Sequence, residues 1–225
     1  MKISIVIPTY NSQKTVRKAI DSVLKQKFLR SKFEVIVIND GSTDNTLNII
    51  KSYGKKIKII NQKNQGVVKA TNKGFKVASG DYVIKLDADD FFRKNALKIM
   101  AEVLRKNSKI DFVYSDYYEK SYNGRLKIIS TKNNIFNTVG SGIMFKRDKL
   151  AKQGFYRRNI KFPEYDLLLK ILKKWHGYHI AKPLFYYVRR KDSITANKKW
   201  VKEALKELEK IHYKEIQNIK KIRKY

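Results

Sequence analysis

Apolar and polar positions along the first hundred residues alternate between two rhythms. Lys2–Ile7 is a short apolar run closed by Pro8, and Phe33–Ile38 (FEVIVI) is a second. Between them Val16, Ile20, Val23 and Leu24 recur at the spacing of one helical face. The order predicts strand, helix over Lys14–Lys27, strand, which is the parallel unit whose helix crosses one face of a sheet. The rhythm then repeats, with a helix over Thr43–Tyr53, a strand over Ile57–Ile60, a helix over Val67–Ala78 and a buried strand over Tyr82–Leu86. Asn95–Lys106 reads as a further helix. Such alternation predicts an α/β fold with an open, mostly parallel sheet flanked by helices.

The second half is less regular. A strand over Phe112–Ser115 leads to Asn123-Gly124 between extended flanks, a hairpin turn, so antiparallel strands make the sheet mixed from here on. Glu164–Trp175, behind Pro163, reads as a helix, and Tyr178–Val188 as one or two short strands broken by Pro183. In the last segment, Lys198–Tyr225, Val201, Leu205, Leu208, Ile211, Ile219 and Ile222 keep near one face and lysines fill the rest, which predicts a basic amphipathic C-terminal helix. There is no internal repeat and no low-complexity linker. The expected division is a main domain over residues 1–197 and this helix over 198–225.

Composition narrows the chemistry. With 225 residues and 42% hydrophobic content the chain can build a sizeable core. It has no cysteine, which removes disulfide scaffolds, thiolate metal sites and cysteine nucleophiles together, and three histidines argue against a His-rich zinc site. No apolar run approaches the roughly 18 residues of a membrane span, and MKISIVIPTYN lacks a signal-peptide cleavage pattern, so a cytoplasmic protein is expected. Lys and Arg number 51 against 20 Asp and Glu, a formal charge of +31 that calls for an anionic partner or a reason to stay dispersed.

Three polar loops follow three predicted strands, at Thr9, Asp40 and Asp87, and in a parallel sheet all three lie on one edge. The strongest is KLDADD, where Asp87, Asp89 and Asp90 crowd the end of a buried strand. The carboxyl ends of strands in such sheets are where ligands bind, and clustered acidic oxygens there suit a hard divalent cation, Mg²⁺ or Mn²⁺, that also holds a diphosphate. One of these acids could instead cap the helix that starts at Asn95, but three in four positions favour the metal. In INDGSTDNT, Asp40 can accept a hydrogen bond from a base N–H, while Ser42, Thr43 and Asp44 suit the cap of the next helix. PTYN, Pro8–Asn11, is by itself a loop after a strand, with Asn11 or Ser12 as a cap.

In this order, ISIVIPTYN, VIVINDGSTDNT, NQGVVKATNKGF, SGDYVIKLDADD, FPEYDLLLKIL and YYVRRKDSIT resemble the family 2 glycosyltransferases, inverting nucleotide-sugar enzymes with the GT-A fold. The likeness covers most of residues 1–197. It implies that Pro8, Thr9, Tyr10 and Asn11 line a nucleotide pocket with Asp40 on the base. It also implies that Gly66 and Asn72 lie by the donor, and that Asp87, Ala88 and Asp89 are the DxD motif, with Asp89 the more direct metal ligand and Asp87 nearer the ribose or sugar. Glu164 in PEYD aligns with the family's catalytic carboxylate and Asp166 with the acid two positions on. Glu164 would be the general base, although a residue directly behind Pro163 also suits the first turn of a helix. Thr138–Gly142 resembles the stretch that borders donor sugar and acceptor, and its glycines equally suit a bend before a strand.

Three positions depart from the family pattern. Asn39 replaces the first acid of a common DDGS; Thr71 stands where an arginine near the phosphates is frequent, with Lys69 and Lys73 as its nearest substitutes; and Arg190 stands where a histidine is common. A nucleotidyltransferase on a similar sheet would open with a glycine-rich loop after the first strand, and PTYNSQKTV has no glycine.

The resemblance thus implies transfer of a sugar from a nucleoside diphosphate donor, a UDP-sugar by preference, to a polysaccharide, lipid-linked glycan or protein hydroxyl. The contrasting reading is a weakly catalytic nucleotide-binding relative that acts through its basic surface. Residues 198–225 could rest on anionic lipid at the inner face of the membrane, pack on their own domain or pair with a second copy. Nucleic acid is not expected as a partner, because the lysines are dispersed and no recognition motif accompanies them.

Overall fold

In a computed structural model, which describes residues 1–132, 137–191 and 193–222, the expected alternation is present from the first strand. The N-terminal half runs β1 (Ile3–Thr9), α1 (Val16–Leu24), β2 (Phe33–Asp40), α2 (Thr46–Lys51), β3 (Lys58–Gln62), α3 (Val67–Val77) and β4 (Tyr82–Lys85). The chain continues through β5 (Phe91–Phe92), α4 (Ala96–Lys106), β6 (Phe112–Lys120), β7 (Leu126–Ile129), β8 (Ile143–Lys146), α5 (Arg147–Gln153), α6 (Pro163–Ile171), β9 (Gly177–Val188), α7 (Lys198–Ile211) and α8 (Tyr213–Ile222).

One mixed sheet has the order β3-β2-β1-β4-β8-β6-β9-β5, with β7 paired to β6. β3, β2, β1 and β4 are mutually parallel, with Ile5 beside Val35 on one side and Ile84 on the other. β8 enters antiparallel between β4 and β6, β6 and β9 run parallel, and β5 pairs antiparallel with β9. The Asn123-Gly124 hairpin forms as expected, with Gly124 at φ 84 and Lys120 opposite Leu126. Pro183 does not break β9: the strand runs continuously through it and absorbs it as a register shift opposite Asp116.

Alternation along β1 sends Ile3, Ile5 and Ile7 to one face, where they meet Val16, Ile20 and Val23 of α1 and Leu97, Met100 and Leu104 of α4. Val6, Ile36, Ile38 and Val83 face the other way, onto Ala70 and Phe75 of α3, Leu150 of α5 and Leu167, Leu168 and Ile171 of α6. Burying a side chain of this size contributes about 1.5–3 kcal/mol, so this two-sided core holds the sheet rigid beneath whatever its loops carry.

The amphipathic C-terminal segment is two helices rather than one, parted at His212. α7 is capped by Asn197, whose Oδ1 accepts the Trp200 N–H at 3.0 Å. Leu208 and Ile216 form a third apolar cluster with Ile160 and Leu169, flanked by Phe162 and Tyr165. Leu208 and Ile216 therefore pack on α6 while Leu205 and Ile211 of the same stripe stay exposed, and Lys161 fastens α7 further through Glu203 (2.6 Å) and Glu207 (3.1 Å). Residues 223–225 and the side chains of Ile219 and Ile222 lie outside the described residues.

Candidate active site

Because β2, β1 and β4 are parallel neighbours, the loops after Asp40, Thr9 and Lys85 emerge on one edge. β8 is antiparallel to them, so its leading turn, Gly140–Gly142, reaches the same edge. α6 brings its first turn, with Glu164, to that turn as well.

The first two loops are stitched together. The Thr9 hydroxyl donates to the Ile38 carbonyl at 3.1 Å, Asn11 Oδ1 accepts the Thr43 N–H at 2.8 Å, and the Asn11 N–H donates to Ser42 Oγ at 3.1 Å. Asn11 sits at φ 46, a left-handed conformation that a short amide bonding nearby tolerates better than most side chains. Pro8 is buried beneath this loop, and Tyr10 stands 50% exposed at its rim. Asp44 accepts the Thr46 N–H at 2.9 Å in the turn that leads into α2, whose N-cap position is Asn45.

Asp40 is only 3% exposed, and its carboxylate is already engaged. Oδ1 accepts from Gln62 Nε2 (2.6 Å) and the Gln65 N–H (2.9 Å), and Oδ2 from the Gly66 N–H (2.8 Å). It thereby fixes the turn into α3, where Gly66 adopts φ 87. Asn72 is committed too, donating to the Tyr156 carbonyl at 2.8 Å and accepting its N–H at 3.1 Å. Thr71 is buried with its hydroxyl on the Val67 carbonyl, leaving Lys69 and Lys73 as the exposed cations of α3 on either side of it.

The acids after β4 divide by environment. Asp90 is buried and caps no helix: it accepts the Val188 N–H at 3.0 Å and the Ser141 hydroxyl at 2.7 Å. Burial, followed by the charges of Asp87 and Asp89, pushes its carboxyl well above the usual range. Asp87 and Asp89 are partly exposed, and Ala88 forms the turn between them. The Asp87 N–H donates to Ser141 Oγ at 3.1 Å, so one hydroxyl ties the acidic turn to the Gly140–Gly142 turn. Asp89 lies 3.1 Å from Arg190 Nε; burial and Asp87 raise its carboxyl, and the guanidinium opposes them.

Lys85 went unnoticed in the sequence and is the hub of the site. It is 5% exposed, donates to Glu164 Oε1 at 2.6 Å, and lies 3.1 Å from Asp87 Oδ1. Burial opposes its charge, but Asp87 and Glu164 outweigh burial and hold the ammonium well above its ordinary value. The signal was a lysine in a strand whose other members are all buried and apolar. Asp166 is not gathered with these groups. Two residues along a helix turn a side chain about 200° around the axis, and Asp166 is 1% exposed against Arg157 (3.1 Å) and His212 (2.8 Å).

A mixed sheet whose parallel half ends in polar loops gathered on one edge defines an open α/β class, in which ligands bind at the carboxyl ends of the strands. The model of glycosyl transferase family 2 matches residues 4–156, and the chain belongs to that family. It is 38% identical over 102 residues to the poly(ribitol-phosphate) β-N-acetylglucosaminyltransferase TarS of Staphylococcus aureus, covering 44% of this chain and 18% of that protein. It is 26% identical to the chondroitin synthase of Escherichia coli across 99% of this chain and 36% of the synthase. Against the crystal structure of S. aureus TarS 1–349 with UDP the TM-score is 0.71 at 26% identity, covering 85% of this chain and 61% of the other. A mannosyltransferase from Pyrobaculum calidifontis, in complex with GDP-Man and Mn²⁺, shares the fold at TM-score 0.73 and 17% identity, over 91% of this chain and 61% of that one. The chain thus spans about a fifth to a third of these curated relatives and about three fifths of the solved chains.

Proposed function

We propose that this chain moves a sugar from a UDP-sugar to an acceptor hydroxyl with inversion, with Glu164 as general base and the Asp87–Asp89 turn on the donor. The observation that carries this reading is the meeting of Glu164 with Asp87 across Lys85, at the edge where the loops of β1, β2 and β4 converge. Family membership and the likeness to a TarS structure holding UDP support the donor class.

Inversion is a single displacement. The acceptor oxygen bonds to the anomeric carbon as the bond to the diphosphate breaks, its electron pair leaves with the diphosphate, and the acceptor proton passes to Glu164. Glu164 keeps part of its side chain open while Oε1 is held by Lys85, which leaves Oε2 to receive that proton. Pro8, Thr9, Tyr10 and Asn11 are read as the nucleotide wall. Asp40 acts on the base side by fixing Gln65 and Gly66, and any base N–H must find what remains of its acceptor capacity.

A divalent cation suits the acidic turn. Asp87 and Asp89 present partly exposed carboxylates, each with a side-chain cation 3.1 Å away, Lys85 and Arg190, and paired hard oxygen donors of this kind are what Mg²⁺ or Mn²⁺ takes. Among the described residues no third acid or histidine completes a cage, which suits Mg²⁺ or Mn²⁺ bound by two carboxylates with the rest left to phosphate and water. When bound, such an ion neutralises charge on the departing diphosphate. For the acceptor, a glycan hydroxyl in polysaccharide or lipid-linked glycan assembly is favoured. The exposed lysines of α7 would then face an anionic surface; no helix among the described residues is long and apolar enough to cross a membrane.

Calorimetry with UDP, GDP and dTDP, in Mn²⁺ and then EDTA, tests the donor assignment. UDP should bind in Mn²⁺ and lose affinity in EDTA, and equal binding in EDTA would remove the metal. UDP release from UDP-sugars should fall by about 10²- to 10⁴-fold in Glu164→Gln and be abolished in Asp89→Ala, each with the fold intact. Near-normal turnover in either variant would sink that residue's role.

A further inference from the structure

Lys85 is an unusual residue for its place. β4 lies between β1 and β8 in the middle of the sheet, and Val83, Ile84 and Leu86 around Lys85 are fully buried. An ammonium in such a position is tolerated only when paired and hydrogen-bonded. Its partners come from opposite ends of the proposed chemistry: Glu164 Oε1 at 2.6 Å from α6, and Asp87 Oδ1 at 3.1 Å from the acidic turn. A second, independent feature accommodates the pair. A Cβ on Gly140 would lie 2.7 Å from Lys85 Cε, 2.8 Å from Glu164 Oε1 and 2.9 Å from Lys85 Nζ, so the turn before β8 carries no side chain where the ion pair needs the space.

We propose that Lys85 is the positioning residue of the transfer, a fixed ammonium that holds Glu164 by Oε1, presents Oε2 to the acceptor hydroxyl, and sets that base against Asp87 on the donor side. The inference rests on Glu164 being the base. Lys85 itself moves no proton and touches no substrate; it acts through Glu164 by limiting where the carboxylate can stand. Misplacing a reacting group by about 1 Å costs on the order of 100-fold in rate. A lysine that merely balanced buried charge would affect folding without singling out Glu164.

The test is UDP release from UDP-GlcNAc with Mn²⁺ by the full chain, comparing Lys85→Met, Lys85→Gln, Glu164→Gln and the double variant Lys85→Met/Glu164→Gln. Lys85→Met should lower kcat by about 100-fold while the donor KM stays within about threefold, and in the Glu164→Gln background it should cost no more than about threefold further. Lys85→Gln, which keeps a polar group between the two carboxylates, should recover part of the loss, and it carries the measurement if the methionine variant does not fold. Three results would overturn the proposal: kcat preserved without the ammonium, a raised KM at unchanged kcat, or the full single-variant loss repeated in the Glu164→Gln background. An active Glu164→Gln would sink the base assignment itself, whereas an inert Glu164→Gln beside a fully active Lys85→Met would sink only the role of Lys85.

Discussion

Gly140→Ala is a one-methyl perturbation aimed at the ion pair alone. No positive φ is required at this glycine, so alanine meets no backbone strain there; what it meets is Lys85 Cε at 2.7 Å, Glu164 Oε1 at 2.8 Å and Lys85 Nζ at 2.9 Å. Ordinary contact begins at 3.4 Å, so the three atoms must retreat by about 0.5–0.7 Å. All are the far ends of flexible side chains, and none is backbone. The cost in stability should therefore fall at the low end of overpacking, about 1 kcal/mol, or roughly 2–4 °C in Tm for a chain of this size. The cost in rate should be larger in proportion, about 10- to 100-fold in kcat, because the displaced oxygen belongs to the proposed base. Gly74→Ala is the matched control. Its Cβ would lie 2.2 Å from Val6 Cγ1, a fully buried β-branched side chain in a central strand with nowhere to go. It should lower stability by about 1–3 kcal/mol, roughly 2–12 °C, and leave kcat near wild type well below its melting temperature. Thermal melts and UDP release read both. If Gly140→Ala keeps kcat within about twofold, the ion pair does not govern the base.

Two further predictions concern acids on the opposite side of α6 and at the far end of the sheet. Asp166→Asn weakens the charge that Arg157 and His212 share at 3.1 and 2.8 Å, and should cost about 1–3 kcal/mol in chemical unfolding. Its turnover loss should be far smaller than that of Glu164→Gln; an equal loss would restore Asp166 to the reaction. Asp111 accepts the His176 N–H at 3.0 Å and pairs with Lys149 at 2.7 Å. Burial works against its charged form, but Lys149 and the His176 N–H outweigh it and hold the carboxyl below its ordinary 3.8. The stability from a depressed carboxyl is present above the unfolded value and is lost as pH falls through the folded one. Urea unfolding should thus show wild type exceeding Asp111→Asn by a constant margin between about pH 7 and 5, shrinking below about pH 4. A margin that grows on acidification would contradict this.

What was legible in the chain was what repeats locally. Apolar runs and one-face helical spacing carried β1 through β4 because period and burial agree there, and the three polar loops fell on one edge because neighbouring parallel strands leave no other choice. The interruption of the C-terminal helix at His212 was invisible in the same pattern, because its apolar spacing runs on across the break. What accompanies the break is a partner 46 residues earlier, Asp166, whose carboxylate receives the His212 ring. Asp40 shows the same limit from another side. The local motif gave Asp40 a base contact and left the cap to Ser42, Thr43 and Asp44, whereas the folded carboxylate also fastens Gln65 and Gly66, 25 and 26 residues on.

Lys85 shows why the centre of the site was harder to read than its edge. Within six residues, KLDADD presents one cation among three acids, and the acids claim the attention because three like charges in four positions demand an explanation. The lysine is explained by Asp87 beside it together with Glu164, 79 residues away on another element. Yet a physical argument was available from the strand itself. A position flanked by wholly buried Val83, Ile84 and Leu86 cannot hold an ammonium without carboxylate partners inside the sheet edge. Asp87 is one such partner, and an acid from beyond the local motif can supply another. Reading the buried cation first, and asking which distant acid could reach it, leads from the donor turn to the base without presupposing either.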